Sequence, residues 1–240
     1  MKSCDVSDAQ RTAARMVGWS YLLAIPLAIF SEFYVSGRLV VRDDVQATAR
    51  NILAHEGMFR VGIASNLMVF AIDVVLIVGL YGALSPVNST LARVAAAWRL
   101  VETALLVAVI TTNDSTVLRL LARPDYLRVF DDAQLQGLSR LAIADHGAGY
   151  NVGLMFAGCG STLFCWLWYQ SGYVPKLLAT WGILASLVLA SCTLAFIVYP
   201  GFTRVATIAV YGGPIFLFEL TMGLWLVLRR LEPDARRANR

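Results

Sequence analysis

The sequence predicts an all-α membrane protein: a six-transmembrane-helix bundle with two short amphipathic surface helices. Of its 240 residues, 58% are hydrophobic and only 15% are charged, whereas a soluble domain carries about 25% charged residues. Several apolar runs also reach roughly 20 residues, the length that an α-helix needs to cross a bilayer. The net charge of +4 is modest, and no basic patch with interleaved aromatic residues indicates nucleic acid. The predicted partner is therefore the lipid bilayer.

Turn-forming residues divide the apolar sequence into six predicted spans. They are residues 14–35, 59–84, 91–118, 148–169, 177–199 and 205–228, within a transmembrane domain of residues 14–230. The predicted tails are residues 1–13 and 231–240. Pro26 and Pro214 fall inside spans, where the missing N–H is expected to kink a helix. No small-residue cleavage pattern follows the first run, so we expect it to be a retained span.

The two longest loops each contain a segment with apolar residues at helical spacing, typical of an amphipathic helix. Aspartate is a favoured helix cap, and aspartates precede both segments: Asp43 and Asp44 before residues 45–56, Asp131 and Asp132 before residues 133–144. We expect both helices to lie along the membrane surface on the non-cytoplasmic side.

Lysine and arginine residues indicate the topology. An even number of spans places both termini on one side. The cations of that side lie close to the span ends, in tails and short loops, whereas those of the other side are spread through long loops. The positive-inside rule then predicts a multi-pass protein of the cell membrane with both termini cytoplasmic.

Four ionisable residues fall inside the predicted spans, in their middle-to-cytoplasmic part: Asp73, Arg99, Glu102 and Glu219. A charge at the centre of a bilayer helix costs about 2.5–3.5 kcal/mol, so these side chains are expected to face protein or water. Three carboxyl groups around one guanidinium cannot all stay ionised in a dry site, and at least one is expected to take up a proton. Such a group suits proton coupling or general acid chemistry. The alternative is that Arg99 only clamps helices together.

A second polar set is predicted near the outer ends of the spans. It contains Glu32, Arg60, Asp145 and His146, with Asn113 and Asp114 at similar depth. A further polar residue, Asn66, is expected in the outer half of its span. Imidazole with carboxylates can shuttle protons or bind a metal; the alternative is a histidine that merely forms hydrogen bonds at a helix end. We assign no metal, cofactor or catalytic residue, because the sequence lacks His-Glu-x-x-His, paired intramembrane histidines and Gly-x-Ser-x-Gly. The four cysteines form no Cys-x-x-Cys pair and are predicted to be packing residues.

Several short motifs occur along the chain in the same order as in a known family, which the sequence therefore resembles. They are Arg11-Thr12-Ala13-Ala14-Arg15, Glu32-Phe33, Thr48-Ala49-Arg50-Asn51-Ile52-Leu53, Arg99-Leu100-Val101-Glu102, His146-Gly147, Ser171-Gly172-Tyr173-Val174-Pro175, and Glu219 with Trp225. Together they resemble the bacterial integral membrane proteins grouped as domain of unknown function 4386, over nearly the whole chain. The resemblance implies about six helices and no established activity, and it transfers no catalytic residue.

Three hypotheses for function follow. The protein binds or moves a small solute or proton through the buried polar residues, or it is a membrane-embedded enzyme acting on a lipid-like substrate at the outer set. In the third, it is a structural or regulatory membrane component without chemistry. The first two imply a small-molecule or lipid ligand.

Overall fold

The computed structural model describes residues 6–41 and 43–229, and this part of the chain is α-helical without any strand. Six helices in it are long and apolar enough to cross a membrane: Asp8–Leu39, Glu56–Leu84, Ser89–Ala122, Asp132–Ser171, Lys176–Val198 and Ile208–Leu228. The predicted all-α fold with six membrane-spanning helices is confirmed.

The first span changes its helix type along its length. It comprises α1 (Asp8–Ala28), a π-helical segment (Ile29–Val35) and α2 (Ser36–Leu39). α1 begins earlier than the predicted residue 14, because Ser7 and Gln10 exchange backbone-to-side-chain hydrogen bonds of 3.1 and 3.2 Å that satisfy the first turn. Pro26 lies within α1, and the wider π-helical segment follows it. Such segments are frequent at functional sites.

The two predicted surface helices are not confirmed as a pair. The first segment does form a separate helix, α3 (Val45–Ala54), and the Asp44 side chain accepts a hydrogen bond from Ala47 N at 2.7 Å. The second segment is the beginning of span four, because α6 runs unbroken over Asp132–Ser171. No proline interrupts residues 132–171, and Gly147 adopts helical conformation like its neighbours. A polar stretch inside a long helix was therefore mistaken for its end.

The remaining spans follow the predicted turns closely. α4 (Glu56–Leu84) and α5 (Ser89–Ala122) flank the turn at Pro86, and α7 is Lys176–Val198. A 3₁₀ turn at Pro200–Arg204 leads to α8 (Ile208–Tyr211) and α9 (Gly213–Leu228). Pro214 stands in the first turn of α9, where a missing N–H breaks no helical hydrogen bond. The sixth span is thus divided at Gly212, and Pro214 starts a helix instead of kinking one.

The chain divides into two compact units. Unit one is Met1–Leu23, Ile72–Thr103 and Asn151–Arg240; unit two is Ala24–Ala71 and Ala104–Tyr150. Unit one buries Val17, Leu80, Phe164, Trp168 and Met222, among others, in its core. Unit two has a core of its own. Along the spans of both units many large apolar side chains stay exposed, as surfaces that face lipid do.

Glycine permits a close contact between the backbones of two helices in unit one. A Cβ atom added at Gly158 of α6 would stand 2.7 Å from both the backbone N of Ala190 and the backbone O of Ser186 in α7. The two helices therefore pack backbone against backbone, as small residues allow between membrane helices.

Candidate functional site

Arg99 of α5 is the centre of a buried ionic cluster in unit one. The residue is only 6% exposed. Its Nη1 atom lies 2.8 Å from Oε2 of Glu102, one helical turn further along α5, and its Nη2 atom lies 3.6 Å from Oδ1 of Asp73 on α4. One guanidinium thus contacts two carboxylates and joins two helices.

Two further side chains belong to this cluster. The carboxyl group of Glu219, on α9, interacts electrostatically with Arg99 and Asp73. Tyr21 of α1 is buried, and its hydroxyl interacts with the charges of Glu219, Arg99 and Asp73. We call Tyr21, Asp73, Arg99, Glu102 and Glu219 the polar core. It receives side chains from α1, α4, α5 and α9.

Neighbouring helices hold the Arg99 side chain in place. A Cβ atom added at Gly160 of α6 would stand 2.8 Å from Arg99 Cγ, so the aliphatic part of the side chain lies directly against the α6 backbone. On the next turn of α5, Thr103 Oγ1 donates a hydrogen bond of 3.0 Å to the Arg99 carbonyl oxygen. Because its stem cannot swing toward α6, the guanidinium is directed at the carboxylates.

A second polar cluster forms in unit two around His146 of α6. His146 Nδ1 lies 2.8 Å from Oδ1 of Asp114 on α5, and Nε2 lies 3.6 Å from Oε2 of Glu32 in the π-helical segment. Asn66 of α4 donates a hydrogen bond of 2.9 Å to Glu32 Oε1, and Ser31 contacts the Asn66 side-chain oxygen. We call these five residues the histidine cluster.

The sequence comparison with protein families covers both clusters. A family model described as "Domain of unknown function (DUF4386)" matches residues 16–229. The chain belongs to this family. The resemblance seen in the short motifs is thereby confirmed. No curated protein and no solved structure matches the chain.

The geometry of this DUF4386 protein unites the four residues predicted for the inner site: Asp73, Arg99, Glu102 and Glu219 all lie in the polar core. Only half of the predicted outer set converges. Glu32 and His146 meet in the histidine cluster, but Arg60 pairs with Glu56 of its own helix at 2.6 Å and is 62% exposed. Asp145 is also exposed. Asp145 directly precedes His146 in α6, and adjacent residues of a helix point in different directions. Its side chain therefore does not join the histidine cluster.

Sequence reasoning missed two members of these clusters in the DUF4386 chain. Tyr21 is a tyrosine in the middle of an apolar span, whereas tyrosines that anchor a protein in the membrane stand at its interfaces. The position of Tyr21 deep within the span was therefore a sign in the sequence that it belongs to a buried polar cluster. Ser31 precedes the intramembrane Glu32 in the sequence, but its contact with Asn66 depends on how α4 is rotated, which the sequence does not reveal.

Two buried polar atoms of the polar core lack a hydrogen-bond partner among the described residues: Arg99 Nε and Glu102 Oε2. Glu102 Oε2 is close to Arg99 Nη1 at 2.8 Å, but the contact is ionic and does not have the angles of a hydrogen bond. Arg99 Nε has no such ionic contact among the described residues, and a buried polar atom without a partner costs about 1–3 kcal/mol. The polar core of this DUF4386 protein can therefore form two further hydrogen bonds, one donated by Arg99 Nε and one accepted by Glu102 Oε2.

The charges of the polar core do not balance. In the described part of the chain, Arg99 is the single cation that acts on the carboxyl groups of Asp73, Glu102 and Glu219. In the histidine cluster, by contrast, each ring nitrogen of His146 faces a carboxylate, an arrangement that orients an imidazole for proton transfer. Within the described residues no three His, Cys, Asp or Glu side chains are grouped as metal ligands.

Proposed function

We propose that this membrane protein binds a proton or a small cationic solute in the polar core and moves it through that core. One observation carries the proposal: three carboxyl groups interact with one buried guanidinium, and Glu102 Oε2 accepts no hydrogen bond among the described residues beside its ionic contact with Arg99.

Charge neutrality decides what the polar core binds. If Asp73, Glu102 and Glu219 were all ionised, two negative charges would remain beside Arg99. Uncompensated charges in a medium of low dielectric constant cost several kcal/mol each, so protons or a cation must neutralise them. A proton and a small cation such as a protonated amine would compete for the same oxygen atoms. Binding of the solute would then release a proton, which couples the two.

Proton flux tests the proposal. The protein is reconstituted in liposomes that contain a pH-sensitive dye, and a potassium diffusion potential drives protons inward. The wild type is expected to acidify the vesicle interior, and Glu102→Gln is expected to slow this by about 100-fold, because a positioned proton-transfer group contributes 10²–10⁴-fold in rate.

The matched control is Glu56→Gln, which removes a carboxyl group paired with Arg60 on the exposed surface of α4. Its flux should equal that of the wild type. A wild-type flux no larger than that of empty liposomes would refute proton movement through the polar core, and a Glu102→Gln flux equal to the wild type would refute the role of Glu102 in it.

A second function, a membrane-embedded enzyme acting on a lipid-like substrate, is favoured by the histidine cluster. His146 lies between Asp114 and Glu32, at 2.8 and 3.6 Å, and its side chain remains 15% exposed. Acting as general base or acid, His146 would exchange a proton with the substrate, while Asp114 would hold the ring and stabilise its charged form.

Mass spectrometry of co-purifying lipids tests this second function. The wild type is expected to retain a specific lipid that His146→Ala loses, because the substitution removes the group placed to contact it. His55→Ala is the control, since His55 is exposed and its ring contacts the backbone of its own turn, at Asn51 O. The same lipid inventory in all three proteins would count against an enzyme at this cluster.

A further inference from the structure

A basic cavity of about 350 Å³ opens in unit one beside the first turns of α1 and the last turn of α9. Among the described residues, three arginines and one aspartate supply its charges, and the other lining side chains are small or apolar. The lining residues are Asp8, Arg11, Thr12, Ala14, Arg15, Leu226 and Arg229.

The lining residues carry an excess of positive charge. Arg11 pairs with Asp8 at 3.2 Å, and the three guanidiniums and one carboxylate of the described lining leave a net charge of +2. Arg11 and Arg15 are four residues apart on α1, a spacing at which like charges repel each other. An anion in the cavity would relieve this repulsion.

The third arginine is positioned by an aromatic ring. The Arg229 guanidinium lies over the indole of Trp225, with its Cζ atom 5.6 Å from the ring centroid. This cation–π contact holds a charge at the end of α9, where the helix leaves the apolar span. Arginine at such a place offers several N–H donors in a fixed plane, the geometry that matches phosphate oxygens.

The inner wall of the cavity is apolar. Ala14 and Leu226, which line it, are 1% and 2% exposed. The cavity therefore combines cations at the ends of two membrane spans with a small apolar area at its inner end. Phospholipids have the same arrangement at the edge of the hydrocarbon region, where a phosphate group joins an apolar glyceride. Basic pockets between membrane helices bind such head groups.

We propose that this cavity binds a phosphate group through Arg11, Arg15 and Arg229, and that an anionic phospholipid supplies it. The cavity volume is about 350 Å³, at the lower end of the range for small-molecule sites, roughly 300–1,000 Å³. The site is separate from the polar core, so it stands whether or not the core conducts protons.

Lipid-dependent thermal stability in mild detergent tests the proposal. Phosphatidylglycerol is titrated into the full-length protein, with phosphatidylcholine and inorganic phosphate in parallel. The apparent affinity for phosphatidylglycerol is expected to exceed that for phosphatidylcholine and to fall about tenfold or more in the Arg15→Gln/Arg229→Gln variant, since each arginine near the lipid contributes to anion attraction. If that variant does not give a monodisperse peak on size exclusion, Arg15→Gln alone is titrated.

The control is Arg93→Gln, which removes the same charge from unit one at the start of α5. Arg93 is not among the residues that line the cavity, and its Nε donates a hydrogen bond of 3.3 Å to Ser89 O. The control variant should keep the wild-type affinity. Inorganic phosphate that binds as tightly as phosphatidylglycerol would identify a soluble source of the phosphate group. Equal affinity for both lipids without any effect of phosphate, or an unchanged affinity in the arginine variants, would overturn the proposal.

Discussion

Arg99→Met is expected to lower the free energy of unfolding by about 3–5 kcal/mol, the cost of removing one partner from a buried ion pair. Glu102 Oε2 lies 2.8 Å from the Arg99 guanidinium, and Asp73 Oδ1 lies 3.6 Å from it. Without Arg99, the carboxyl groups of the polar core lose their only cation in the described chain. The measurement is reversible unfolding by denaturant in detergent micelles, followed by tryptophan fluorescence.

Compensating substitutions distinguish a lost charge pair from a lost side chain. Adding Asp73→Asn and Glu102→Gln to Arg99→Met should recover most of the stability, because an apolar or neutral replacement of a whole buried ion pair is often tolerated. Arg93→Met, at an exposed position of the same helix, should be as stable as the wild type. Equal stability of Arg99→Met and Arg93→Met would contradict the prediction.

The same substitutions separate the functional hypotheses. If Arg99 only clamps helices, as a structural component requires, Arg99→Met lowers stability while Glu102→Gln leaves proton flux unchanged. If the polar core conducts protons, Glu102→Gln lowers flux in a protein that still folds.

Gly158→Leu is expected to destabilise the protein by about 1–3 kcal/mol or more, the usual cost of overpacking. A Cβ atom there would stand 2.7 Å from Ala190 N and from Ser186 O. Both are backbone atoms of α7 and cannot rotate aside, so α6 and α7 would have to separate. Unfolding by denaturant and the yield of monodisperse protein are the measurements.

The matched control is Gly137→Leu on the same helix, because a Cβ atom at Gly137 meets nothing within 4 Å. This change should be neutral or slightly stabilising, since leucine favours a helix over glycine by about 1 kcal/mol. Gly158→Leu with the stability of Gly137→Leu would show that the two helices do not touch there.

Apolar run length was enough to predict the fold class and the six spans, because the bilayer sets the length of a membrane helix. Helix ends were harder to place. The start of α1 at Asp8 depends on the paired bonds of Ser7 and Gln10, a capping signal present in the sequence. The continuity of α6 through His146 was missed, because hydropathy falls there while the helical hydrogen bonds continue.

The two clusters were predictable to different degrees. The spacing of Arg99 and Glu102 alone places them on one face of a helix. The depth of Asp73 and Glu219 in their spans indicated that these two residues would lie near that pair. The partners of His146 depended on helix rotation and on the π-helical segment that carries Glu32. Arg60 does not join the predicted outer set because it forms an ion pair with Glu56, four residues earlier on the same helix.

The acids of the polar core outnumber their cation among the described residues and are therefore expected to hold protons. Infrared spectroscopy of the protein in lipid at neutral pH measures this directly, because a protonated carboxyl group has a carbonyl band that shifts in heavy water. The excess of carboxyl groups predicts such a band in the wild type and a weaker one in the triple variant Asp73→Asn/Glu102→Gln/Glu219→Gln. A band of the same intensity in both proteins, or none in the wild type, would contradict it.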